Sequence, residues 1–345
     1  MATSAEMTLA KVNKADEFYT TYEDIEKECI NYSSLFRNKI IYCNCDNPAR
    51  SEFFHYFASN FFSLGLKKLV CTCYDKNLAP TEISLWDEPA EVDIKKEAYK
   101  VIIPDCLTNN GIEFAPGLNI YELIKNDIET QSLKYVQLLE ENGDFRSDEC
   151  IQLLKESDII VTNPPFSLFR EFIKVLVKYN KCFLVIGNMN ASTCKEVFPL
   201  IQQNKMWYGP SISSGDRKFI VPESYPLEAA TCGVDENGNR FIRVKGVRWF
   251  TNIDNEKRHR LLPLTKTYLP ADYLSYDNYD AINVDKTSDI PYDYEGVMGV
   301  PITFIDKYCP EQFEILGLDM DLTTNHKRGT INGRELYARI FIKRK

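Results

Sequence analysis

The stretch that most restricts how this chain can fold is DIIVTNPPFSLFREFIKVL, residues 158–176. Ile159, Ile160 and Val161 form an unbroken apolar, β-branched run, the pattern of a buried strand. Leu168, Phe169, Phe172, Ile173 and Leu176 then recur at helical spacing. Between them two prolines fix φ and remove two backbone donors, so the N-P-P-F segment reads as a rigid strand-to-helix turn. In open parallel α/β sheets such turns sit at the carboxyl ends of the strands, where ligands bind.

The same texture recurs elsewhere. NKIIYCNCD reads as a strand, PARSEFFHYFASNFFSLG as an aromatic-rich helix closed by Gly65, and LKKLVCTCYD as a second strand. Strand, helix and strand from Lys39 to Asp75 make the βα unit of a doubly wound sheet. Further strands are expected at AYKVIIPDC and NKCFLVIGNMNA, and an edge strand in SSGDRKFIVP. After VRWFTNID the sequence turns rich in Tyr, Asp, Asn and Pro, and reads as loops with short strands.

Composition limits the function classes. With 44% apolar and 26% charged residues the chain is an ordinary globular sequence, long enough at 345 residues for one large or two ordinary domains. No apolar run approaches the roughly 20 residues that span a bilayer, and the first residues lack a signal-peptide core, so a cytoplasmic protein without membrane attachment is expected. Eleven cysteines with no C-x-x-C pair and only three histidines offer no zinc spacing, so no metal is expected. The pairs Cys43/Cys45 and Cys71/Cys73 would each face one way on a strand, as small buried core residues.

The net charge of −9 argues against nucleic acid only on average. Between Arg243 and Lys266 seven Lys and Arg stand against Asp254 and Glu256, and the last twenty residues carry seven against Glu335 alone. Charge in blocks allows one basic face on an acidic protein, which is what phosphate contacts need.

The turn itself suggests a chemistry. An asparagine carbonyl and a proline-fixed backbone carbonyl can both accept from one amino group, turning its lone pair toward an electrophile held opposite. An exocyclic amine is a poor nucleophile, so positioning and electrostatics must lower the barrier. Asn163 would orient the amine, the Pro164 carbonyl would share that role, Pro165 would stiffen the turn, and Phe166 would stack on the base. The plainer alternative is a structural turn with a buried phenylalanine.

A D/N-P-P-Y/F turn after a strand is the motif of amino-group methyltransferases that use S-adenosylmethionine. Together with DEFYTTYEDIE, IYCNCDNP, LGLKKL, GDFRS, TNPPFSLFRE, KEVF, FIVPE, YDNYDAINV and GVMGVPITF, it makes the chain resemble the EcoRI-type adenine-specific DNA methyltransferases. The resemblance implies an α/β Rossmann-like methyltransferase sheet over residues 1–255, with a C-terminal target-recognition region over 256–345. It implies S-adenosylmethionine as cofactor and places Phe18, Tyr19 and Thr20 over its methionine end. Asn44 and Asp46 would follow the first cofactor strand, although the usual glycine-rich turn is replaced there by NCDNPAR. Tyr74 or Asp75 would take the ribose hydroxyls, Asp144 the adenine amine, and Phe145 the adenine ring.

The implied reaction is methyl transfer to the N6 amine of an adenine flipped out of duplex DNA, as in restriction-modification or epigenetic marking. Arg243, Lys245, Arg248, Lys257, Arg258 and Arg260 are the candidates for DNA contact, with Arg217 and Lys218 on a loop that could enter a groove. A monomer is expected, with a cognate restriction endonuclease as a candidate partner. The alternatives are methylation of RNA adenine, cytosine N4, protein glutamine or a small molecule, or an idle protein that mimics DNA or binds a nuclease.

Overall fold

The computed structural model describes residues 18–74, 98–112, 117–130, 134–221, 225, 227 and 230–345. The chain divides into two compact units, one of residues 1–189 and 214–253 and another of residues 190–213 and 254–345. The second unit thus begins near residue 254 but also takes in a segment from before the last strands of the first.

In the first unit the parallel centre of the sheet is β2 (Ile40–Cys43), β3 (Lys68–Thr72), β6 (Ile159–Thr162) and β7 (Cys182–Asn188), ordered β3-β2-β6-β7. All four residues of β6 are buried, as the continuous β-branched run requires. Beyond this centre the sheet is mixed. The strand β4 (Tyr99–Ile103) runs antiparallel to β3, β5 (Gln137–Leu138) antiparallel to β4, and β12 (Val247–Thr251) antiparallel to β7.

Three of the first unit's helices bear on the site. The helix α1 (Tyr22–Cys29) is capped by Thr21, whose hydroxyl accepts from the Asp24 N–H, and α2 (Glu52–Ser59) is capped by Ser51. The helix α3 (Phe169–Lys178) follows the N-P-P-F turn and buries Phe169, Phe172, Ile173 and Leu176, the positions its periodicity marks. Each such side chain contributes about 1.5–3 kcal/mol through the apolar area removed from water.

The expected edge strand in SSGDRKFIVP takes another place. It forms β9 (Asp216–Ile220), which pairs antiparallel with β1 (Tyr19–Thr20) and with β11 (Arg240–Lys245), itself paired with β10 (Cys232–Val234). This separate four-stranded sheet, ordered β1-β9-β11-β10, is two-faced. Ile242 and Val244 are buried while Arg243 and Lys245 are exposed, the period-2 alternation of a half-buried strand.

In the second unit the short strand β8 (Trp207–Tyr208) precedes a sheet of β13 (Ile282–Asn283), β14 (Met298–Pro301), β18 (Arg339–Arg344) and β15 (Phe313–Leu318), in that order. A separate two-stranded hairpin pairs β16 (Thr330–Ile331) with β17 (Arg334–Glu335). Tyr276, Ala281, Ile331 and Phe341 form a core cluster against which Tyr279 packs, stacked on Phe341 with ring centroids 4.6 Å apart. The tyrosine-rich stretch is therefore packing material. Asn283 accepts from the Tyr276 hydroxyl at 2.9 Å within the same packing.

Among the described residues no helix is long and apolar enough to cross a membrane, and no group of three or more His, Cys, Asp or Glu is gathered as a metal site. Cys43, Cys71 and Cys73 are buried thiols outside any disulfide, and burial pushes the Cys43 and Cys71 thiols well above the ordinary range.

Candidate active site

The site is built in the first unit where β2, β3 and β6 end. The N-P-P-F turn leaves β6 and closes on itself: the Leu168 N–H donates to the Pro165 carbonyl at 2.9 Å and the Phe169 N–H to that of Phe166 at 3.4 Å. Pro164 is buried, while Asn163, Pro165 and Phe166 are half-buried. The Asn163 Nδ2 donates to the Phe18 carbonyl at 2.6 Å and to Thr20 Oγ1 at 3.3 Å. With its donor nitrogen committed to β1, the amide keeps Oδ1 as the atom that can accept from a substrate amine.

An aromatic cluster surrounds the turn. Phe18 lies 5.8 Å from Phe166 and 5.9 Å from Phe219, and Phe166 lies 6.2 Å from Phe219. Tyr225 meets Phe18 edge-on at 6.1 Å. Phe219 and Tyr225 are absent from the sequence-based candidates. The one available signal was the FIVPE segment, and it did not disclose that β9 pairs Phe219 with Thr20.

At the end of β2 the missing glycine turn is replaced by side-chain closure. Asn47 Oδ1 accepts from the Ala49 N–H at 2.9 Å and from the Tyr99 hydroxyl at 2.7 Å, and the Asn47 carbonyl accepts from the Arg50 and Ser51 N–H groups. An Asx-type turn does here what a glycine usually does. Asn44 and Asp46 are both buried. The Asp46 carboxylate accepts from Ser51 Oγ at 3.0 Å, from the Thr162 hydroxyl and from the Asn163 backbone N–H. Burial raises its pKa to about 7, only partly offset by those hydrogen bonds.

The end of β3 brings Tyr74, half exposed, toward the GDF loop; Asp75 lies outside the described residues. Gly143 adopts φ +75°, and a Cβ there would collide with the Cys73 carbonyl, so only glycine lets the loop sit against this strand end. Asp144 follows. Burial pushes its carboxyl up, but hydrogen bonds from the Arg146 guanidinium and backbone N–H outweigh this and hold it below the usual range. It is therefore ionised and can accept from a further amine. Phe145 is buried, edge-on to Phe172 at 5.1 Å, so its ring packs in the core.

The cationic candidates separate by environment. Lys218 and Arg243 are cross-strand partners on β9 and β11, and both guanidinium and ammonium lie over the Phe241 ring. Lys218 also pairs with Asp235 at 2.5 Å, Arg243 with Asp216 at 3.5 Å and Arg217 with Asp24 at 3.8 Å. Lys245 is exposed on the same face as Arg243. Arg248 is buried, with Nη1 donating to the Val247 carbonyl at 2.8 Å, so the structure turns it inward rather than toward a ligand in solvent. In the second unit Lys257 donates to the Pro210 carbonyl and Arg258 stacks on Trp207 at 3.5 Å, while Arg260 is exposed.

The family model described as adenine-specific methyltransferase EcoRI matches residues 6–345. The chain belongs to this family. Type II methyltransferase M.EcoRI of Escherichia coli is 47% identical over 346 residues, covering 100% of this chain and 98% of that protein. M.MgeORF184P of Mycoplasma genitalium and M.MpnI of Mycoplasma pneumoniae, also type II methyltransferases, are 35% and 33% identical, each over 97% of both chains. No solved structure matches. Family membership makes the protein an adenine-specific DNA methyltransferase.

Proposed function

We propose that this adenine-specific methyltransferase acts on the N6 amine of an adenine drawn out of duplex DNA, as the modification enzyme of a type II restriction-modification system. The observation that carries the reading is the Asn163 amide, its nitrogen anchored to β1 and its oxygen left to accept. That oxygen and the Pro164 carbonyl would hold the amine, and Phe166 would stack on the base within the aromatic cluster.

The residues present fit S-adenosylmethionine. The loop after Gly143 delivers an ionised Asp144 to the end of β3, where an adenine amine needs an acceptor. Tyr74 at that strand end would serve the ribose, with Asp75 beyond it in the sequence, and Phe145 would back the ring through Asp144. Asn44 lies at the end of β2, and Phe18, Tyr19 and Thr20 would cover the methionine end. Bound there, the cofactor supplies a methyl group on a cationic sulfur, already a strong electrophile, so alignment matters more than a general base.

The exposed Lys245 and Arg260, and Arg243, exposed although it pairs with Asp216, are the cations best placed for phosphates, with Arg217, Lys218, Lys257 and Arg258 more fully held by protein partners. The second unit supplies the additional chain that target recognition requires, and the protein would work as a monomer beside a separate cognate endonuclease. The test is a tritiated-methyl assay on DNA, RNA and protein acceptors, followed by a nucleoside digest. N6-methyladenine in DNA alone is expected. Label in RNA, in cytosine or in protein would replace the reading.

A further inference from the structure

Asp46 stands where a cofactor ligand is expected, yet its carboxylate is spent on the protein. One oxygen accepts from Ser51 Oγ at 3.0 Å and the other from the Thr162 hydroxyl, and the Asn163 N–H also donates to the group. Ser51 simultaneously caps α2 through the Phe53 and Phe54 N–H groups at 3.1 and 3.4 Å. Thr162 Oγ1 in turn accepts from the Cys45 N–H at 3.2 Å. One carboxylate thus ties together the exit of β2, the start of α2 and the last residue of β6. Only 6% of Asp46 is exposed, too little for a ligand to displace these partners without breaking the tie.

We propose that Asp46 is a positioning residue for methyl transfer, locking the exit of β2 to the N-P-P-F turn through Thr162 and the Asn163 backbone, so that the catalytic amide is held in place from the cofactor side of the sheet. The inference rests on Asn163 being the residue that orients the amine.

Its chemistry is directional. An ionised carboxylate only accepts, matching the two hydroxyls and the amide that point at it, whereas a protonated one must donate and turn one of those bonds around. Thr162 Oγ1 already accepts from Cys45, so its proton is committed to Asp46. The titratable groups facing the carboxylate are thiols, Cys43 and Cys45 on its own segment and Cys71 on β3, whose Sγ donates to the Asp46 backbone carbonyl at 3.1 Å. Burial holds all three well above the ordinary thiol range, so they are neutral. Ser51 and Thr162, contributed by α2 and β6, do not titrate. The carboxyl's own elevation to about 7 places its change of state near neutral pH.

The experiment compares Thr162→Val, Thr162→Ser, Asp46→Asn and Asn163→Ala in the full-length protein. S-adenosylmethionine affinity is measured by calorimetry, and kcat on DNA from a host lacking adenine methylation. Thr162→Val is expected to lower kcat about 10–100-fold, the range for a misplaced reacting group, with cofactor affinity within about threefold, and Thr162→Ser to restore it. Wild-type kcat should fall as pH drops through about 7, and the isosteric Asp46→Asn should flatten that limb, a readout available even where Thr162→Val does not fold. Unchanged kcat in Thr162→Val overturns the proposal. So does an Asp46→Asn protein that loses cofactor affinity while keeping kcat at saturation, since Asp46 would then be a ligand. Turnover that survives Asn163→Ala would instead overturn the reading of the turn, a separately visible result.

Discussion

The N-P-P-F turn and the β9–β11 face are neighbours in one unit and are held by different means. Asn163 is anchored by a backbone carbonyl and a hydroxyl contributed by residues more than 140 positions away, and its strand end is tied to Asp46. Arg243, by contrast, is half exposed with a carboxylate 3.5 Å away, and Lys245 stands in solvent. The contrast follows from what each must do. An amine has to be held within a fraction of an ångström of one line of attack, so the group that holds it must be fixed before substrate arrives. A phosphate attracts a cation over several ångströms with little angular demand, so mobility in the cation costs little. Rigidity is concentrated where geometry decides the rate.

Removing the amide should have the largest effect. Asn163→Ala should lower kcat by about 10²–10³-fold or more, the scale of losing one preorganised hydrogen-bonding group in a reacting site. Cofactor binding should fall far less than kcat, because the loop carrying Asp144 is untouched and the Phe18–Thr20 segment loses only its tie to the amide. Calorimetry with S-adenosylmethionine beside the tritiated-methyl assay checks both halves. Undiminished turnover would show that the fixed geometry serves only the fold.

The second test is thermodynamic. Folding raises the Asp46 pKa to about 7, and the unfolded chain has roughly 3.9. Between these values the folded protein keeps a proton that the unfolded chain has lost. The group's contribution is therefore complete below about pH 4, declines as pH rises toward 7, and is flat above, with a slope of at most about 1.4 kcal/mol per pH unit. Denaturant unfolding of wild type and Asp46→Asn at pH 5 and about pH 8 isolates this as a difference of differences. Equal slopes in both proteins would show that the carboxylate is not buried as strongly as its surroundings imply.

How much of this could be read in advance depends on the range of the interactions. The strand, turn and helix of residues 158–178 were legible because periodicity and proline act locally, and Phe169, Phe172 and Ile173 are buried as their spacing requires. The placement of β9 was not, because alternation marks a strand without naming its partner, and its neighbour β1 lies about 200 residues earlier. The role of Asp46 was hidden for the same reason. A carboxylate after a strand reads as a ligand until Thr162, 116 residues on, is seen to donate to it. Arg248 misled in the opposite sense: charge counted along the chain does not reveal that a strand buries one of its cations. The Asn47 turn carries no glycine to mark it, since an Asx turn performs the same bend with a side chain.

The aromatic cluster lies between the two regimes, and Phe166→Ala probes it. Stacking on a nucleobase contributes about 1–3 kcal/mol, so kcat/KM for DNA should fall about 10–100-fold, with cofactor affinity held. Phe219→Ala, on β9 with its ring 6.2 Å from that of Phe166, should fall less if Phe166 is the stacking surface. Equal losses would mean that the rings act as one packed support, moving this region to the rigid side of the comparison.

The smallest effect should come from the exposed face of β11. Arg243→Ala with Lys245→Ala removes two cations from one side of β11 while leaving Ile242 and Val244 in the core. If both meet phosphates, the slope of log K against log salt should become shallower by about 1.8, since each phosphate contact on B-DNA contributes about 0.9. Methylation at saturating DNA should stay near wild type, because neither side chain reaches the turn. Arg248→Ala is the informative counterpart: its guanidinium is buried against the Val247 carbonyl, so it should destabilise the fold and leave the salt slope unchanged. A salt slope that answers to Arg248 and ignores Arg243 and Lys245 would place the DNA elsewhere and leave no difference between fixed chemistry and exposed charge.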